Sequence, residues 1–444
     1  MTRRLFWPAV LAAACVATAA SAQSAAQSAS QSVEVTPLAA PDLFSAGARD
    51  TGLSSDLWRG ASADTMRAVL PLLAEKPLSP AARALALRVL DTGAAGPDGA
   101  GQDAELASLR IKVLNALGDA VGAIAVLSRT PNVEREPALA QQAAEAALLS
   151  GDDDRACQIG ETLASGRGEI YWLRLRAYCR QRAGQQGEAQ LTYDLAQGQD
   201  RDAVFGRLMG AKLAGKGDPG AASLRNGLDF ALSRDLGLDL TAAKADPAVA
   251  AALAGQPPGP PVWTAPAGSS VADAAVAMLA AGDLAGARQV RAGFITAEPG
   301  VSADDLAVLD AMLAVASGQV DASVTEHLVD RAGAGEPAAH AKARAAAFLT
   351  AALGGDLSPK ALDLLAGVQA AGGQAPAGRM LAMDLAAARK LEGQTALLAL
   401  WTCAEAGAQG PSPADRARIA RALSTAGLKA DARNFVLEGL FGLQ

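Results

Sequence analysis

The chain has 444 residues, half of them hydrophobic, 19% charged and only 4% aromatic, with a formal net charge of −7. That balance is of a folded chain rather than a disordered one, and its acidic excess repels nucleic acid and anionic lipid. Alanine and leucine dominate and runs of Val, Ile and Thr are scarce, which favours helices over strands.

The N-terminus sets the compartment. Arg3 and Arg4 precede an apolar run from Leu5 to about Ala20, and Ala20-Ser21-Ala22 is a small-x-small site ahead of Gln23. The pattern predicts a signal peptide over 1–22, cleaved after Ala22, and a soluble protein in the periplasm. Losing Arg3 and Arg4 takes the net charge from −7 to −9. The alternatives are secretion, an uncleaved anchor, or a lipid anchor at Cys15, although Ala12 stands where a lipoprotein signal wants leucine. Residues 23–50 follow as a flexible segment rich in Ser, Gln and Ala.

Residues 51–103 comprise N-terminal helices, broken at Pro71, Pro77 and Pro80, and the Gly-rich loop DTGAAGPDGAGQD at 91–103. LWRG at 57–60 precedes the first clear helix. Trp58 either folds back on the chain as a cap or joins Arg59 as an exposed anchor for a partner; packing is the favoured reading.

From residue 104 a phrase recurs: a helical run, a Gly followed by Asp or Gln, then an Ala. It reads LGDAVGAIAVL at 117–127, SGDDDRACQIG at 150–160, AGQQGEAQLTY at 183–193 and AGDLAGARQVR at 281–291. The shared turn glycines are Gly118, Gly151, Gly184, Gly217, Gly282, Gly318, Gly355, Gly393 and Gly427. The first four recur at a constant sequence interval, and the last four follow their predecessors at slightly longer and more variable ones. Five residues after the glycine comes Ala123, Ala156, Ala189, Ala222, Ala287 or Ala432, with Ser323 in one copy. Seven before it sits Ala144, Ala177, Gly210, Ala275, Ala311, Ala386 or Ala420; Ile111 and Phe348 are the exceptions.

On these residues the chain resembles the tetratricopeptide-repeat family, over roughly 104–235 and 271–444. The best copy is Ile170–Ala196, with Trp172, Ala177, Gly184, Ala189 and Tyr193. The resemblance implies antiparallel helix pairs of about 34 residues stacked as an α-solenoid. Small residues let two helices approach, and the glycine supplies a left-handed turn. The large aromatic positions of the family are mostly Ala, Leu or Val here, so other helical-pair solenoids stay open. The expected fold is therefore all-α, with TPR-like repeats over 104–254, a Pro/Gly linker at 255–270, and further repeats over 271–444, in one array or two lobes. FVLEGLFG at 435–442 closes the last pair and needs a cap or a partner.

One stretch, GAKLAGKGDPG at 210–220, nearly spells a phosphate-binding loop through Gly210, Gly215 and Lys216, and also fits G-x-G-x-x-G through Gly215, Gly217 and Gly220. Gly217 stands where the metal-binding hydroxyl belongs, and AVFGRLM at 203–209 reads as helix rather than strand. Gly210 and Gly217 are thus read as repeat positions, and no nucleotide is expected. His327 and His340 are several helical turns apart in sequence, too far for the one-turn spacing of a zinc-binding helix. Asp152-Asp153-Asp154 starts a helix and reads as a cap rather than a metal cluster. No catalytic, cofactor or metal residue is assigned. Trp172 and Trp401 are expected to plug an alanine-lined core.

Cys157 and Cys179 lie on consecutive helices and are equidistant in sequence from Gly168, in the turn between them. Equal distance from the turn puts them at one height of an antiparallel hairpin, so an oxidising compartment is expected to join them. Cys403 is left over. The expected function is a non-catalytic adaptor or scaffold in a bacterial cell-envelope assembly, binding other proteins or peptides. A self-assembling envelope subunit and a periplasmic hydrolase with a carboxylate pair are the alternatives; the hydrolase would need two acids in one pocket, one of them with a raised pKa.

Overall fold

A computed structural model describes residues 41–255, 261–263, 270–293, 301–336, 338–368 and 373–443. The signal peptide with Cys15 and Ala22, residues 23–40 and most of the 255–270 linker lie outside the described residues. Among the described residues the chain is all-α, and the only bridge of β type is the isolated pair Leu224 and Ala245.

The helices are α1 (Ala63–Glu75), α2 (Pro80–Asp91), α3 (Ala104–Ala116), α4 (Ala120–Arg129), α5 (Pro137–Leu149), α6 (Asp153–Thr162) and α7 (Ile170–Arg182). They continue as α8 (Gln186–Gln199), α9 (Ala203–Ala214), α10 (Gly227–Asp235), α11 (Pro247–Ala254), α12 (Val271–Ala280), α13 (Leu284–Ala292) and α14 (Ala303–Ser317). The last seven are α15 (Ala322–Ala332), α16 (Ala341–Ala351), α17 (Pro359–Ala366), α18 (Ala377–Ala388), α19 (Glu392–Ala406), α20 (Pro413–Ala426) and α21 (Lys429–Phe441).

The Gly-Asp phrase is a helix-stop joined to a helix-start. Gly118 takes φ 82° beyond the end of α3, and Asp119 then accepts the Gly122 N–H (2.8 Å) to begin α4. The same device recurs at Gly151-Asp152 and Gly282-Asp283, where the aspartates accept from Arg155 and Gly286. The alanine five residues on faces the paired helix: Ala123, Ala156, Ala189, Ala287 and Ala432 are all 0% exposed. Ser323, in the same register, is exposed. The result is a repeat-like series of helix pairs, including α5 with α6, α7 with α8, α12 with α13 and α20 with α21.

Three turn glycines behave otherwise. Gly355 (φ 120°) lies in the loop between the C-cap of α16 at Ala352 and the N-cap of α17 at Ser358. Gly393 lies inside α19, and the left-handed residue of that turn is Lys390 (φ 58°). Gly393 is small for a different reason: a Cβ there would stand 2.5 Å from Leu57 O and 2.7 Å from the Trp58 ring. Gly217 has φ 106°, but α9 already ends at Gly215 (φ 61°) and the next helix starts only after the Asn226 cap. Ala222 therefore sits in a loop, not on a paired helix.

Residues 41–444 form one unit, so the described residues before and after the 255–270 stretch are not separate lobes. A single buried cluster runs from Leu43 to Phe441, with a second around Trp172, Tyr178, Phe205 and Met209. α1 packs on α3 and on α19, while α2 packs on α19 and α21. α21 also packs on α14 and α16, so Phe435, Val436 and Leu440 are buried within the chain and FVLEGLFG needs no outside cap.

Residues 41–50, expected to be flexible, are pinned. The buried Arg110 guanidinium donates to Leu90 O (2.7 Å), Phe44 O (3.2 Å), Ala46 O (2.9 Å) and Thr92 O (3.0 Å). Burial pulls its pKa down to about 10, against the pull of Asp91 and Asp42. Leu57 and Trp58 of LWRG pack, with the C-terminal half as their target, and Trp58 is fully buried against α19, while Arg59 is exposed.

Candidate functional site

The predicted disulfide is present. Cys157 on α6 and Cys179 on α7 are bonded, with Cα atoms 5.5 Å apart. It fastens one rim of the second core cluster, where Tyr178 OH donates to Asp153 (3.1 Å) and Asp235 (3.2 Å). Arg182, Arg234 and Lys212 complete this network: Arg234 pairs with Asp153 (2.6 Å) and Lys212 with Asp235 (3.0 Å). Asp152 is the helix cap, but Asp153 is a buried ion-pair partner, a role the acidic triplet did not disclose.

The nucleotide-like stretch sits at the wrong end of a helix for phosphate. Gly210 is within α9, and Gly215 caps its C-terminus by donating to Ala211 O (3.0 Å). Carbonyl oxygens, not free N–H groups, face outward there. His327 is on α15, whereas His340 stands at the N-cap position of α16, where its ring makes no capping bond and instead shares Asp304 (3.1 Å) with Arg331. No group of three or more His, Cys, Asp or Glu fit to hold a metal occurs among the described residues. Trp172 is buried as expected. Trp401 is only half-buried: Arg379 lies over its ring at 4.4 Å, and its indole N–H donates to Glu405 (2.9 Å).

Two acids do converge. Asp91, the last residue of α2, and Asp119 both bond Arg49, at 2.5 Å for Asp91. Burial and the Asp119 charge lift Asp91 to about 7, with Arg49 opposing. Their side chains are 2% and 1% exposed, so the pair is a strut fastening the 41–50 segment to α2 and α4. An adjoining cleft of about 300 Å³ is lined by Asp91, Arg49, Arg88 and Asp431.

The more open feature lies between α16 and α20. On α16, Ala341, Arg344, Ala345 and Phe348 recur at helical spacing and form one stripe, which Ala352 continues at the C-cap. The opposite face, with Ala343, Ala346, Ala347 and Thr350, is buried. On α20, Ala414, Ala417, Arg418, Arg421 and Thr425 form a facing stripe. Two cavities open along these stripes, of about 490 Å³ toward the end of α21 and about 570 Å³ toward α18, and Phe348 lines both. Gly439 lets α21 approach the floor of the first; a Cβ there would be 2.8 Å from Leu349.

Polar groups in the groove divide into spent and free. Arg416 donates to Glu438 (2.6 Å), and the other Glu438 oxygen accepts the Ala81 N–H (2.7 Å), which ties α2 to the groove floor. Arg418 pairs with Asp384 (2.6 Å). Arg344 and Arg421 make no side-chain hydrogen bond or ion pair within the described residues. Burial pushes the nearby Cys403 thiol well above its ordinary value, an effect Glu438 reinforces, so this free cysteine is inert. The repeat register held one signal for the groove: Phe348 stands where all the other copies but that of Ile111 carry a small residue. No family model, curated protein or solved structure matches this chain.

Proposed function

We propose that the chain is an exported, non-catalytic helical-repeat adaptor of the tetratricopeptide kind, which holds a segment of another bacterial cell-envelope protein in the groove between α16 and α20. The observation that supports this most is the pair of neighbouring cavities that share Phe348, each lined mainly by apolar residues with a few charged groups among them. That is the form of a recognition surface, and helical-repeat proteins characteristically bind extended partners. The acids that line the cleft beside the N-terminal segment, Asp91 and Asp431, do not favour the hydrolase alternative, because each is nearly buried and paired with an arginine, Asp91 with Arg49 and Asp431 with Arg88.

The test is co-purification from envelope fractions with the wild-type chain and with Phe348→Asp. A discrete partner that is lost with the variant, at unchanged far-UV circular dichroism, supports the adaptor. Identical partners in equal yield from both chains contradict it.

A further inference from the structure

We propose that the segment held in this groove is acidic as well as apolar, with carboxylates meeting Arg344 and Arg421 on either side of an apolar residue seated on Phe348. The inference rests on the groove being the binding site and goes on to assign the partner's chemistry.

The argument is one of charge complementarity. The two cavities are lined by four arginines and two acids in a chain whose net charge is −7, so the groove runs against the sign of the whole. Arg416 is spent on Glu438 and Arg418 on Asp384. Arg344 is left in the first cavity and Arg421 in the second, each without a partner among the described residues. A guanidinium at the edge of an apolar wall binds a carboxylate in fixed, often bidentate geometry, and gains strength where water is thinned. A lysine-bearing segment would instead meet two uncompensated like charges, which penalises the wrong partner. Arg344 and Phe348 are one helical turn apart on α16, so an acidic and an apolar group one turn apart on a partner helix would meet both.

The experiment uses the purified mature chain and three fluorescein-labelled twelve-residue peptides. The peptides share one leucine pattern, and their remaining positions are all Glu, all Gln or all Lys. Anisotropy is read at 50 and 300 mM NaCl. The Glu peptide is expected to bind at least about tenfold tighter than the Gln peptide at low salt and to weaken as salt rises. Arg344→Gln and Arg421→Gln are each expected to lose about fivefold, the upper range for a partly exposed pair, while Arg155→Gln on α6 changes nothing. Equal binding of all three peptides, lost in Phe348→Asp but untouched by the arginine variants, overturns the acidic assignment and leaves the groove standing. No binding by any peptide up to 1 mM, or binding indifferent to Phe348→Asp, overturns the groove with it. Sedimentation showing a dimer that Phe348→Asp dissociates assigns the groove to a second copy and likewise overturns the proposal.

Discussion

The ring of Trp58 lies directly on the backbone of Gly393, and the Gly393 N–H donates to Leu57 O at 3.0 Å. This contact joins two regions remote from each other in the sequence and seats the start of the chain on α19. A methyl group at position 393 has no room, since Leu57 O and the Trp58 ring are both backed by buried structure. Gly393→Ala is expected to destabilise the chain by about 1–3 kcal/mol, the cost of overpacking. Urea denaturation checks it: the midpoint should fall, and an unchanged midpoint would refute the contact.

Arg110 is the sole side chain donating to four carbonyls at once among the described residues, and each belongs to the N-terminal segment or to the end of α2. Arg110→Met fills similar volume but takes the donor away from all four, and among the described residues only Phe44 O keeps another, the Ala94 N–H at 3.1 Å. The expected loss is about 3 kcal/mol or more, since each buried unpaired carbonyl costs roughly 1–3 kcal/mol before relaxation. Limited trypsinolysis should then cut at Arg49 before any other site. Cleavage kinetics like those of the wild type would count against this clamp.

The Cys157–Cys179 bond spans a sequence separation of 22. On the chain-entropy estimate closing a loop of that size stabilises the fold by about 3 kcal/mol. Mass spectrometry of a non-reduced digest should recover the linked peptides, with Cys403 alkylated only after denaturation. Recovery of Cys157 alkylated in the native protein would contradict the bond.

Asp91 sets a pH dependence of definite sign. Its pKa is about 7 in the folded chain against 3.8 for an ordinary aspartate, mainly through burial and then the Asp119 charge. The folded state therefore binds the proton more tightly than the unfolded state. The associated stability is fully present below about pH 4 and is lost as pH rises to about 7. Asp91→Asn is expected to remove this slope, which cannot exceed a factor of ten in the folding equilibrium per pH unit for one proton. Parallel wild-type and variant curves between pH 4 and 7 would show that Asp91 is not the titrating group.

The helices, their pairing and the disulfide were legible because they follow from local chemistry. A left-handed glycine, an aspartate cap and an alanine at fixed spacing specify a hairpin where helix-forming residues follow, as they do not at Gly217, where Asp218 turns onto Gly220 and no helix begins, and equal distance from a turn aligned the two cysteines. The closure of α1 and α2 on α19 and α21 was not legible, because it depends on long-range contacts that leave no period. Gly393 shows why: the repeat register claimed it as a turn, whereas its smallness serves Trp58. The groove left only one local trace, Phe348 in a small-residue position. Arg344 and Arg421 could not be told from the other arginines, since being free of a partner depends on where distant acids fall.

The most direct measurement of the adaptor reading is site-specific photo-crosslinking in living cells. A benzophenone amino acid is placed in turn at Ala345 and Ala414 in the groove, and at the exposed Val121 on α4 as a control. The expected result is one discrete envelope protein linked from both groove positions and not from Val121, through a segment that combines acidic and apolar residues. Equal adducts from all three positions, or none from the groove above background, would contradict a binding site between α16 and α20.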